Sequence, residues 1–112
     1  MTTTLPMRGE PPAPAEVPSA SIDPDGYASL GELLRDALVQ FKSSTALVEM
    51  DRKRESARWS YREVKRGAEA LASRLAELGV GPDGRVAILM SNQSRWLVAA
   101  CAIFFRGAVL VP

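Results

Sequence analysis

Four stretches of this sequence hold residue types that could do chemistry. Gly79-Val80-Gly81-Pro82-Asp83-Gly84 has the G-x-G-x-x-G spacing of a dinucleotide loop. Such a loop must leave a strand and open a helix, so that the helix amides meet the pyrophosphate. Here the pattern follows a helical stretch and leads into a strand, and Pro82 removes an amide donor. It therefore predicts a helix stop followed by a tight turn. Ser91-Asn92-Gln93-Ser94 lies between a strand and a helix. Open α/β sheets hold ligands at such junctions, and helix amides attract anions there. The commoner use is to cap the helix, for which Ser91 or Asn92 is suited. Arg52-Lys53-Arg54, with Arg58 and Arg62 nearby, could meet phosphate. Nucleic-acid binding would call for aromatics interleaved with the cations, and only Trp59 is near. A solvated turn that discourages edge pairing is the expected role. Cys101 sits among Ala99, Ala100, Ala102 and Ile103, where burial raises a thiol pKa and makes it inert.

The residue counts exclude other chemistry. The chain has no His, so no Ser-His-Asp triad, Cys-His pair or imidazole metal site can form within it. A single Cys permits neither an internal disulfide nor a thiolate zinc site. No paired carboxylates, P-loop lysine or nucleophile-base pair stands out. The sequence alone thus assigns no catalytic, cofactor-binding or metal-ligating residue. The net charge of +1 gives no drive toward nucleic acid or anionic membrane.

The elements that would position these stretches follow from periodicity. Residues 1–28 hold six of the eight prolines, and one cation against four carboxylates. They lack the apolar content to offset their own ordering, so a disordered Pro-rich leader is expected. The remaining residues, 29–112, hold 13 cations against 9 carboxylates. Ser29-Leu30-Gly31-Glu32 is a capping-box pattern opening a helix over 29–42, with an apolar stripe from Leu30 to Phe41. Thr45 to Met50 predicts a strand, 51–56 a charged turn, and Ala57 to Ser60 a returning strand. A second capping box at Ser60-Tyr61-Arg62-Glu63 opens a helix over 61–78. Its apolar face is Tyr61, Val64, Ala68, Leu71, Leu75 and Leu78, and Gly79 is its left-handed stop. Lys65 with Glu69, and Arg74 with Glu77, stand at ion-pair spacing on its wet face. Arg85 to Met90 predicts a strand with apolar residues on both sides, the pattern of a buried parallel strand. A helix over about 93–106 and a last strand, Ala108 to Val111, complete a βαβ unit, whose crossover should be right-handed.

The expected class is therefore α/β, with the order α-β-β-α-β-α-β and an incomplete sheet over 29–112. The apolar run from Trp96 to Phe105 is ten residues, about half of the ~20 that a membrane span needs. It fits a helix inside a globular domain. That run, the lone Cys and the lack of a secretion signal at Met1 to Arg8 favour the cytoplasm. The apolar stretch ending at Val111-Pro112 suggests a piece of something longer, because termini usually lie at the surface.

Taken together, residues 29–112 resemble the extreme N-terminal part of the adenylate-forming (AMP-binding) enzymes, the superfamily of acyl-CoA synthetases, luciferases and peptide-synthetase adenylation domains. Trp59-Ser60-Tyr61-Arg62-Glu63-Val64 resembles the family's W-[ST]-Y-x-E-[LV] entry into its first long helix. Leu71 to Leu75, continuing through Gly79 to Met90, resembles its L-G-V-x-x-G-D-R-V-A-I segment, with Asp83-Gly84 standing where Gly-Asp is usual. Asn92, Trp96 and Gly107 to Pro112 resemble the stretch that follows, ending G-A-V-x-V-P.

The resemblance implies a partial N-terminal portion of a large catalytic domain. Its parent would activate a carboxylic acid with Mg-ATP, forming an acyl-adenylate and pyrophosphate. It would then pass the acyl group to coenzyme A or a carrier pantetheine. The family's phosphate loop, ribose-binding Asp and catalytic Lys lie further along such chains. This segment is thus expected to supply scaffold, bind no cofactor itself, and be inactive alone. A start at Met1 leans toward an acyl- or fatty-acid-CoA ligase over a nonribosomal peptide synthetase module. The partner implied is the remainder of its own polypeptide or a complementary chain, with no nucleic acid and no membrane span. Two other readings stay open: an interaction half-domain that pairs its last strand with a partner, and a small nucleotide-binding domain using residues 91–94.

Overall fold

The computed structural model describes residues 22–112, so most of the expected leader, residues 1–21, lies outside the described residues. Its last part forms a short 3-10 turn at Pro24–Gly26, and the Tyr27 hydroxyl then donates to the Asp36 carboxylate.

Helix α1 spans Leu30–Gln40. Ser29 Oγ accepts from the Glu32 amide at 3.2 Å, as the capping pattern requires. Glu32 reaches one residue further back than the box predicts, to the Ala28 amide at 3.1 Å. Strands β1 (Thr45–Asp51) and β2 (Arg54–Ser60) form an antiparallel hairpin. The turn expected over 51–56 shrinks to Arg52 and Lys53, because charged residues facing water can stay in a two-stranded ladder. Arg52 takes a left-handed φ of 57° at that tight tip.

Helix α2 spans Tyr61–Glu77 and opens with a complete capping box. The Glu63 amide donates to Ser60 Oγ at 3.2 Å, and the Ser60 amide donates to Glu63 Oε2 at 2.7 Å. Val64, Ala68 and Ala72 are buried on its inner face. Leu78, expected at the end of that stripe, is exposed, because the chain leaves the helix there. Strand β3 spans Arg85–Ala87, helix α3 Ser94–Phe105 and strand β4 Val109–Val111. β3 and β4 pair in parallel, Val86 opposite Leu110. The predicted order of elements, α-β-β-α-β-α-β, is the observed one.

Two clusters share α3. On one side Val98, Cys101, Ala102 and Phe105 pack against Leu38 of α1 and Val64, Ala68 and Ala72 of α2. On the other, Ala99, Ala100 and Ile103 pack against Ile88 and Ala108 at the small parallel sheet. Full burial of a side chain such as Ile103 or Val64 contributes about 1.5–3 kcal/mol. Arg35 ties the three helices together. Its Nε lies 3.0 Å from Glu69 of α2, and its guanidinium carbon stands 4.5 Å from the Phe105 ring centroid. Lys65 shares the same Glu69 carboxylate at 3.6 Å, and Arg74 pairs with Glu77 at 2.8 Å, both as spaced in the sequence.

The strand expected over Arg85 to Met90 is shorter. Only three residues form it, although the Ile88 amide still donates to Val111 O at 2.9 Å. Leu89 is fully exposed, and Val109 and Val111 are uncovered too. Burial on both faces is thus not found among the described residues. α3 covers one face of the sheet, and no described element covers the other.

α1 crosses the C-terminal end of α3 at Gly31. A Cβ built there would lie 2.2 Å from the Phe104 carbonyl oxygen and 2.9 Å from its carbon. Alanine is intrinsically favoured over glycine in a helix by about 1 kcal/mol. The backbone overlap outweighs this, since forcing extra volume into a packed contact costs about 1–3 kcal/mol. Gly31→Ala is therefore expected to lower the urea midpoint of unfolding. An unchanged or higher midpoint would show that α1 does not pack this closely on α3.

Candidate functional site

The junction between β3 and α3 is the place where the fold comes nearest to a ligand site. Residues 89–93 leave the sheet and turn into α3 beside the hairpin. A cleft of about 580 Å³ opens there, walled by Leu47, Val48, Met50, Trp96 and Leu97 and floored by the start of α3. The first residue of α3, Ser94, is only 5% exposed. Its amide would be the natural donor to a bound anion.

That donor is already engaged. The Ser94 amide donates to Glu49 Oε1 of β1 at 2.6 Å. Hydrogen bonding from the Ser94 amide, then from its side chain, holds the Glu49 carboxyl below the usual carboxylate range, with the Arg95 charge adding to the effect. A carboxylate here also meets the positive end of the helix dipole. Neither Ser91 nor Asn92 caps α3, contrary to the sequence expectation. The residue before the helix is Gln93, which makes no side-chain cap. Its side-chain Nε2 instead donates to Ser91 Oγ at 3.2 Å. An extended backbone at Gln93 aims the Ser94 amide at the hairpin, so a side chain from 45 residues earlier does the capping. No local signal could have singled out Glu49, since the pairing exists only once the hairpin docks on α3.

The arrangement does not suit a nucleotide phosphate. An incoming phosphate would have to displace Glu49, and the displaced carboxylate would remain nearby to repel it. Among the described residues no group of three or more His, Cys, Asp and Glu could hold a metal ion.

The other sequence candidates separate rather than converge. Gly79 has φ +86° and ends α2: its amide donates to Ala76 O at 3.0 Å, and the Val80 amide donates to Leu75 O at 2.9 Å. This pair of bonds is a Schellman motif, as the helix-stop reading requires. Gly107, with φ +65°, ends α3 in the same way through Phe104 O and Ile103 O. Arg106 Nε donates to Val80 O at 3.0 Å and joins the two helix ends. Arg52, Lys53 and Arg54 lie exposed at the hairpin tip. Arg58 is held by Glu55 at 2.9 Å and by Thr45 Oγ1 at 3.1 Å, away from them. Cys101 is buried, and its burial pushes the thiol pKa up.

With this geometry in view, comparison with known proteins identifies the family. Residues 34–112 match the AMP-binding enzyme family, and the chain belongs to it. It is 30% identical over 99 residues to a long-chain-fatty-acid–CoA ligase of Yersinia pestis, a match covering 88% of this chain and 16% of that protein. It is 38% identical over 85 residues to the 3-[(3aS,4S,7aS)-7a-methyl-1,5-dioxo-octahydro-1H-inden-4-yl]propanoyl:CoA ligase of Mycobacterium tuberculosis, covering 76% of this chain and 15% of that one. The phosphinothricin tripeptide synthetase PhsC of Streptomyces viridochromogenes is 32% identical over 90 residues, covering 80% of this chain and 8% of that one. A fatty acyl-adenylate ligase from L. pneumophila, solved with acyl adenylate and pyrophosphate, shares the fold. Its TM-score is 0.71 at 20% identity, over 82% of this chain and 16% of that one. The chain therefore spans 16% or less of the length of each of these proteins.

Glu49→Gln keeps an oxygen that can accept the Ser94 hydrogen bond but removes the charge. Because the folded-state pKa of Glu49 is depressed, its stabilisation is complete above the unfolded-state value and is lost as pH falls through the folded-state value. The variant should be less stable than the parent at neutral pH, and the gap should close in acid. Glu63 also titrates low, held first by the Ser60 amide, but it is common to both proteins and cancels in the difference. Urea titrations across this range check the prediction, and a gap that is independent of pH would refute the charged cap.

Proposed function

We propose that this chain is the N-terminal segment of an ATP-dependent ligase that activates a carboxylic acid as its acyl-adenylate and then transfers the acyl group to a thiol. The family match over 34–112 carries this reading. A carboxylate is a poor electrophile until one oxygen belongs to a good leaving group, and ATP, with Mg, provides that by forming the adenylate. CoA ligases among the relatives favour coenzyme A as the acceptor and a fatty or other acyl substrate. The match to PhsC supports the alternative, an adenylation domain that loads a carrier pantetheine.

In this reading the segment builds scaffold and takes part in no chemical step. Two observations among the described residues support this: Glu49 occupies the α3 amide, and the glycine pattern ends a helix. The domain division goes with it: a leader over 1–28, then an incomplete α/β unit over 29–112. The partner is the rest of the same polypeptide, and the uncovered face carrying Val109 and Val111 supports this. That face equally suits a complementary chain, which is the interaction half-domain reading. A cytoplasmic setting accords with the lone buried Cys101. No helix among the described residues is long and apolar enough to cross a membrane.

Carboxylate-dependent exchange of labelled pyrophosphate into ATP tests the proposal. A polypeptide carrying this segment with the remainder of the domain should show exchange, and residues 1–112 alone should show none. Exchange by the segment alone, or none from the longer polypeptide with any of a panel of fatty, aryl and amino acids, would overturn it. Formation of a CoA thioester separates the CoA ligase from the carrier-loading alternative.

A further inference from the structure

We draw no further inference here: the strongest candidate, the apolar groove of about 610 Å³ between β2 and α2 beside Trp59, Arg66, Gly67 and Ala70, carries nothing, because nothing in the structure shows what covers it.

Discussion

Helix α3 is apolar nearly all the way round, and such a helix must be covered on every side. Eight of its twelve residues are buried. That demand places α1, α2 and the β3–β4 pair. α1 and α2 cover one side with Leu38, Val64, Ala68 and Ala72, and the β3–β4 pair covers the other with Ile88 and Ala108. Close approach makes the cover tight. Gly31 lets α1 sit on the Phe104 backbone, and Gly67 lets α2 approach Val98, whose nearest methyl would lie 3.1 Å from an added Cβ.

The same helix explains the polar contact that ties the hairpin to α3. Its buried first turn exposes an amide that nothing nearby in sequence satisfies, and an unmet buried donor costs about 1–3 kcal/mol. Glu49 meets it from β1. The hairpin is thereby fixed against α3, and the position where an open α/β fold could receive an anion is taken by the protein itself. The junction joins the hairpin to α3.

Much of this was legible in the sequence because the signals are local. The Ser60–Glu63 box, the left-handed stop at Gly79 and the βαβ order each depend on neighbours within a few residues. The glycine pattern reads as a stop because its order, helix then strand, contradicts a phosphate loop, and Gly79 is that stop. What escaped depends on contacts between distant segments. The cap of α3 was expected from Ser91 or Asn92, but the backbone turns so that a residue of β1 supplies it. The sequence predicts a hairpin turn of six charged or polar residues, 51–56, but two suffice when the flanking charges face water. Strand β3 was expected to be buried on both faces, an expectation that presumes a second layer which residues 22–112 do not supply. Within that stretch Ile88 is buried in the cluster against α3, while Leu89 is fully exposed.

The uncovered sheet face is where that implication can be measured most directly. Val109→Cys and Val111→Cys place thiols on it, while the native Cys101 stays buried as an internal control. Maleimide labelling should be fast at both positions in residues 1–112 and strongly protected in a longer polypeptide that completes the domain. Equal rates in the two would contradict the account, because the face would then be a true surface and the segment would not be scaffold for a larger sheet.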